Sequence, residues 1–252
     1  MTLSSAKRTR APKRNTRSES VFPVEDIHKA IEAAKHSPQY RIPHGRQGGP
    51  AKVLHASQKA RKMLGDEKDY LNILEGRLEA DYCLTLEFDT EVEVYVCQPC
   101  KLLGGQDYGF SSFTPDHIIF PHSSPAYVVD CKPKQVAKAK IHRERHAALR
   151  EALATQGVEF RVVTDEDIRI QPRMDAYRFL YGYLSGPEHN LAKSRYTLER
   201  ELERLGGTAK MKELRHLGQD AVRHGTACGL VSGSIRARFS TPFGPNFEIS
   251  LV

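Results

Sequence analysis

Two acids and a lysine carry the sharpest chemical signal in this 252-residue sequence. Pro115-Asp116 is followed, fourteen residues later, by Asp130-Cys131-Lys132. Each half sits in a run rich in β-branched residues, Ile118-Ile119 and Val128-Val129, and His122 to Pro125 reads as the turn between them. Two strands joined in this way can bring both aspartates to one end. Asp130 and Lys132 are two apart and share a strand face, while Cys131 points the other way, into the core. Carboxylate oxygens suit Mg²⁺, which takes few protein ligands and keeps water. Such an ion polarises a phosphoryl oxygen and lowers the pKa of bound water. A lysine beside it can steady the hydroxide nucleophile and the charge developing on phosphorus. The set therefore fits phosphodiester hydrolysis. Pro-Asp is common at turns and Asp-x-Lys on exposed strands, so each half carries little weight by itself.

The surrounding elements strengthen the pattern. Residues 70–88 read as a helix, with Leu71, Leu74, Leu78, Tyr82 and Leu86 on a stripe and Glu75 and Glu79 one turn apart. Glu79 would face the site and add a third acid. Strict alternation over 91–96 predicts a strand, and a second is expected over 99–103, followed by a turn at Gly104-Gly105. Strands are expected over 113–120 and 126–131, a long helix from 135 to 155 ending at Gly157, and a buried strand over 158–163. The helix would carry Ala139, His142, His146, Leu149 and Leu153 along one stripe. A basic run over Lys134, Lys138, Lys140, Arg143 and Arg145 suits phosphate contact. A short amphipathic helix precedes these elements between Phe22 and His36, and residues 37–54 read as a loop.

From Tyr177 onward the texture changes. Leu198, Leu202 and Leu205 mark a helix closed by Gly206-Gly207, short helices are expected over 209–217 and 219–224, and two alternating runs, 234–240 and 246–252, read as a hairpin. Three helices and a hairpin suggest a winged-helix-like unit. The expected organisation is a disordered basic tail over 1–20, a mixed α/β catalytic domain over 21–173 and the winged-helix-like domain over 174–252.

The charge follows this division. The formal net charge is +7. Residues 1–20 hold six cations, among them Lys7, Arg8 and Arg10, against one acid, and residues 193–252 hold ten cations, among them Arg236 and Arg238, against six acids. The centre is slightly acidic. Basic ends around an acidic centre point to polyanion binding outside and a different task inside, where the acids include Glu79, Asp116 and Asp130. The tail has too little apolar surface to fold alone and reads as a nonspecific DNA-binding arm. It lacks an apolar h-region for secretion, and its Arg- and Ser-rich composition lacks the helical apolar spacing of a transit peptide. No apolar run approaches the roughly 20 residues of a bilayer span. Five cysteines, an odd and low number, point to a reducing compartment.

Taken together, Arg77-Leu78-Glu79 through Leu86-Glu87-Phe88-Asp89, Val94-Tyr95, Gln98-Pro99, Phe113 through Asp116, Val128 through Pro133, and Phe160–Val163 leading into Thr164-Asp165 resemble TnsA, the endonuclease subunit of heteromeric transposases. Asp116, Asp130 and Lys132 fit the PD-(D/E)xK pattern of metal-dependent nucleases. The resemblance covers residues 70–175. It implies a restriction-endonuclease-like mixed sheet flanked by helices, with Glu79, Asp116 and Asp130 as Mg²⁺ (or Mn²⁺) ligands and Lys132 as the catalytic lysine. Asp130 stands where some relatives carry Gln or Glu. The resemblance also implies cutting at the 5′ ends of a transposon, with double-stranded DNA, an integrase-type transposase and an AAA ATPase regulator as partners, in the bacterial cytoplasm. Lys134, Lys138, Arg236 and Arg238 would join the tail cations in contacting DNA. A stand-alone restriction or repair nuclease is the alternative.

Other features carry less. Cys97 and Cys100 form a CxxC with no further zinc ligands nearby, and Cys97 is expected to be a buried thiol. His142 and His146 lie one turn apart with no third ligand evident. His117 should face away from Asp116. Gln98 is open between a place near the site and a strand-end role.

Overall fold

The computed structural model describes residues 20–35, 53–57, 59, 71–184 and 188–252. The tail with Lys7, Arg8 and Arg10, and most of the expected 37–54 loop, lie outside the described residues. The chain is mixed α/β, with mixed sheets flanked by helices.

Strand β1 (Val21–Pro23) and helix α1 (Ile27–Lys35) come first, and β2 (Val53–Ala56) pairs antiparallel with β3 (Leu71–Leu74). Helix α2 (Arg77–Glu87) leads into β4 (Val92–Cys97). Then follow β5 (Lys101–Gly105), β6 (Phe110–Phe113), β7 (His117–Pro121) and β8 (Tyr127–Lys132). Helices α3 (Lys134–Lys138) and α4 (Lys140–Thr155) lead to β9 (Glu159–Thr164). The central sheet has the order β4-β7-β8-β9. Its first three strands are antiparallel neighbours, and β9 lies parallel to β8. A parallel pair needs a crossover connection, which α3 and α4 supply. A second sheet has the order β1-β5-β6.

Both faces of the central sheet are covered, so adjacent residues on one strand enter different cores. Ile118 and Val128 pack with Leu149 and Leu153 of α4 and Ile27 of α1. Ile119 and Val129 pack on the other face with Cys83 and Leu86 of α2, and with Tyr95. Period-2 alternation thus fixes which side chains of β7 and β8 face each helix layer.

Four expectations need correction. Residues 70–88 are not one helix: Leu71–Leu74 pairs with β2, and α2 begins only at Arg77. Glu75 therefore sits in a bend before α2, not one turn below Glu79. The 113–120 run divides between β6 and β7, which belong to different sheets, and Asp116 lies in the break. The long helix is interrupted at Ala139, whose ψ of 140° is extended. No residue of α3 is buried, so no packing face holds it in line with α4. The short helix expected over 209–217 is a 3₁₀ helix over Met211–Leu217, starting two residues later because Thr208–Lys210 pairs as a strand.

The later elements are α5 (Asp165–Ile168), α6 (Arg173–Tyr181), α7 (Glu188–Arg204), β10 (Thr208–Lys210), the 3₁₀ run Met211–Leu217, α8 (Gln219–Ser232), β11 (Ile235–Arg238) and β12 (Glu248–Leu251). The last three strands form an antiparallel sheet of order β10-β12-β11. Helix α8 runs well past the expected 219–224. Its Gly225 and Gly229 are poor helix formers. They are there for space: a Cβ on Gly225 would come within 2.7 Å of the Ser194 carbonyl oxygen, and one on Gly229 within 2.5 Å of Ile235. A separate core, including Leu198, Leu202, Leu214, Leu230 and Phe247, holds this region together. Helix α6 joins the cores, with Met174 in that of α2 and Leu180 in that of α8. Asp81 of α2 secures the junction, accepting from Arg169 Nε at 2.7 Å and Arg178 Nη2 at 2.9 Å. Among the described residues no helix is long and apolar enough to cross a membrane.

Candidate active site

The break before β7 and the end of β8 place Asp116 and Asp130 side by side. The Asp116 amide donates to the Val129 carbonyl at 3.1 Å, and its carbonyl accepts from the Gln98 amide at 2.8 Å. Its backbone is thereby held between the ends of β4 and β8. Its Oδ2 accepts from the Cys131 amide at 2.7 Å and from Lys132 Nζ at 3.4 Å. Asp130 Oδ1 accepts from Lys132 Nζ at 2.7 Å. Lys132 thus bridges both carboxylates, as its two-residue spacing from Asp130 requires. Cys131 faces the core, as expected.

Helix α4 adds a partner that the sequence reading set aside. His146 is buried, and its Nε2 lies 2.9 Å from Asp130 Oδ2. An ionised Asp130 can only accept, so the imidazole donates. The helix spacing of His142 and His146 was the available signal, but that spacing does not reveal which strand residue lies opposite.

Glu79 occupies the first turn of α2 and is buried. Its Oε2 accepts from the Glu75 amide at 3.2 Å. It lies within electrostatic reach of Asp116, Asp130 and Lys132. Glu75, rather than Glu79, reaches the cavity wall.

The charges in this cluster oppose one another. Burial pushes Glu79 up to about 7; the hydrogen bond from the Glu75 amide opposes that rise, and the Glu75 charge adds to it. Burial also raises Asp116 well above the usual carboxylate range, with Lys132 pulling it down and Asp130 pushing it up. Burial would raise Asp130 too, but hydrogen bonds from His146 and Lys132, together with the lysine charge, hold it down at about 2. Asp116 and Asp130 also share a side-chain hydrogen bond. A proton on Asp116 and a charge on Asp130 is the expected division for two adjacent carboxyls. Burial opposes the Lys132 charge, yet the two aspartates raise its pKa above the ordinary lysine value.

Asp116, Asp130, Lys132 and His146 border a cavity of about 250 Å³ that also reaches Glu75, Gln98, His142 and Arg145. Gln98 meets both descriptions left open by the sequence: it directly follows the end of β4, and it lines the cavity. It is 2% exposed and has a left-handed φ of 42°. Its buried Oε1 has no hydrogen-bond partner among the described residues. An unpaired buried acceptor costs about 1–3 kcal/mol. An oxygen-seeking cation would relieve that cost, and carboxylate and amide oxygens are the donors Mg²⁺ takes. The donor set therefore fits such an ion.

The basic residues distribute unevenly. Arg145, exposed on α4, lines the cavity and donates to the Ser112 carbonyl at 2.9 Å. Lys134 and Lys138 lie beyond the cavity lining, and Lys134 pairs with Glu166 while Lys138 is exposed. Arg236 and Arg238 are exposed on β11, with Arg238 3.9 Å from Glu248. No family model and no curated protein matches the chain.

Proposed function

We propose that the chain is a Mg²⁺-dependent DNA endonuclease of restriction-endonuclease-like architecture. In this reading it is a TnsA-like subunit that cuts the 5′ ends of a transposon beside an integrase-type transposase and an ATPase regulator. The observation that carries the reading is the convergence of Asp116, Asp130 and Lys132 on one polar cavity that Gln98 also lines. The transposase context rests on the sequence resemblance over residues 70–175. The α7, α8 and β11–β12 arrangement supports a winged-helix-like reading of the C-terminal region.

Asp116 and Asp130 hold the ion in this scheme, and Gln98 adds a neutral oxygen. Glu79 supplies negative charge behind them. The bound ion supplies phosphoryl polarisation and a lowered pKa for water. Lys132 fixes both carboxylates and places a positive charge where a phosphate oxygen becomes more negative. His146 positions Asp130 from behind. Arg145 at the cavity wall and the exposed Lys138 offer contacts to the DNA backbone. The test is strand cleavage of duplex DNA by the full chain in Mg²⁺, compared with an Asp116→Asn variant. Wild-type cleavage that the variant loses supports the reading, and equal cleavage by both removes it.

A further inference from the structure

The strands that hold the cavity residues on one side gather sulfur and nitrogen donors on the other. Cys83 of α2, Cys97 at the end of β4 and His117 at the start of β7 are each 0% exposed. Cys83 Sγ lies 3.8 Å from Cys97 Sγ and 3.3 Å from His117 Nε2. The three donor atoms all fall within 4.8 Å of one another. Zinc bonds of about 2.3 Å to sulfur and about 2.05 Å to nitrogen, at tetrahedral angles, put two sulfurs about 3.8 Å apart and a sulfur and nitrogen about 3.6 Å apart. The two separations made by Cys83, 3.8 Å to sulfur and 3.3 Å to nitrogen, lie close to those values.

We propose that Cys83, Cys97 and His117 form a structural site for a thiophilic d¹⁰ metal ion, with a water completing the tetrahedron. Net charge selects the ion. Two thiolates and a neutral imidazole around Zn²⁺ sum to zero, which a buried site tolerates. The same ligands around Cu⁺ leave a net negative charge, beside the buried carboxyls of Glu79 and Glu87. Burial, the Cys97 hydrogen bond and those carboxyls all hold the Cys83 thiol protonated, so the incoming cation must displace the protons. The imidazole is oriented for the task. Its Nδ1 faces Cys131 Sγ at 3.9 Å, and the Tyr82 ring packs edge-on at 5.1 Å between centroids. A proton on Nδ1 leaves the Nε2 lone pair turned to the two cysteines.

The position in the fold gives the ion its role. Cys83 follows Glu79 by one turn of α2, Cys97 adjoins Gln98, and His117 adjoins Asp116. One ion would pin the helix that carries Glu79 to the two strand ends beside the cavity residues Gln98 and Asp116. It is distinct from the oxygen-ligand site, which draws on the other strand face.

Metal analysis and cobalt substitution of the full-length protein, kept reduced, test this directly. The proposal predicts about one zinc per chain after expression with zinc. Co²⁺ added to the chelator-stripped protein should give thiolate-to-metal charge-transfer absorption that excess Mg²⁺ does not remove. Asp116→Asn should keep the zinc and the absorption, whereas a Cys83→Ser/Cys97→Ser variant should lose both. Copper in place of zinc would overturn the choice of ion. Zinc-free protein with no charge-transfer band on Co²⁺ addition would overturn the site and leave a buried thiol–imidazole hydrogen-bond network. Should the double variant fail to fold, the wild-type cobalt spectrum decides alone.

Discussion

His146 donates from Nε2 to Asp130 Oδ2 at 2.9 Å, so Asp130 is gripped by α4 on one oxygen and by Lys132 on the other. That grip fixes the carboxylate orientation and keeps it ionised. A partner of this kind behind a metal ligand typically changes metal affinity or activity by about 10–100-fold. His146→Ala should reduce Mg²⁺ affinity and cleavage within that range, and the Mg²⁺ affinity should fall off at a higher pH than in the wild type. His146→Gln, which can still donate, should recover part of the loss. A purely packing role for His146 would lower the melting temperature without moving the pH profile.

Gln98 offers the opposite pattern, stability gained and function lost. Its buried Oε1 lacks a partner, at a cost of about 1–3 kcal/mol. Gln98→Leu keeps a similar size and removes the amide. The metal-free variant should melt no lower than the wild type, while Mg²⁺ binding by calorimetry weakens about tenfold. A lower melting temperature with unchanged Mg²⁺ binding would return Gln98 to a strand-end role.

Glu79 gives a pH dependence of known sign. Burial holds its pKa at about 7, raised from the unfolded value of 4.5. The protonated form is the one the fold favours, so this contribution to stability is fully present below pH 4.5 and is lost as pH rises through about 7. An ion held as proposed would favour the ionised form. Mg²⁺ affinity should therefore rise with pH, by up to about tenfold per unit for each proton displaced, and level off above about pH 7. Glu79→Gln should flatten the rise and remove its share of the stability change. A wild-type Mg²⁺ affinity independent of pH would contradict the electrostatic account of the cluster.

The basic residues separate by salt dependence. Lys138 is exposed, whereas Lys134 is engaged by Glu166. Lys138→Ala should lower the slope of log affinity against log salt for duplex DNA by about 0.9, the release of about one counterion. Lys134→Ala should change it less. Equal slopes for wild type and Lys138→Ala would place the DNA elsewhere.

The strand core was legible because alternation and β-branched runs mark buried strands. Asp116, Asp130 and Lys132 converge because two of them share a strand face and the third precedes its neighbour. Less legible were features set by tertiary contact. Leu71–Leu74 has a helix-compatible apolar spacing, and only pairing with β2 makes it a strand. Gly225 and Gly229 hide the length of α8, because the close approach of Ser194 and Ile235 that requires them is invisible in one dimension. His146 and Gln98 come to the cavity from a helix and a strand end that no local spacing relates. Cys83, Cys97 and His117 are likewise far apart in the chain, and the CxxC spacing relates Cys97 only to Cys100. Cys100 lies in the other core.

The most direct measurement is strand-mapped cleavage, by the full chain together with the integrase-type transposase that the proposal assigns to it, of duplex DNA bearing the ends of the proposed transposon, in Mg²⁺ and in chelator, with Asp116→Asn beside the wild type. Asn keeps a hydrogen-bond acceptor for the Cys131 amide, so both proteins should have similar melting temperatures. The predicted result is Mg²⁺-dependent cutting at the 5′ ends by the wild type and its loss in the variant. Cutting that survives Asp116→Asn, or a wild type that leaves both strands intact in the complete mixture, would contradict the assignment.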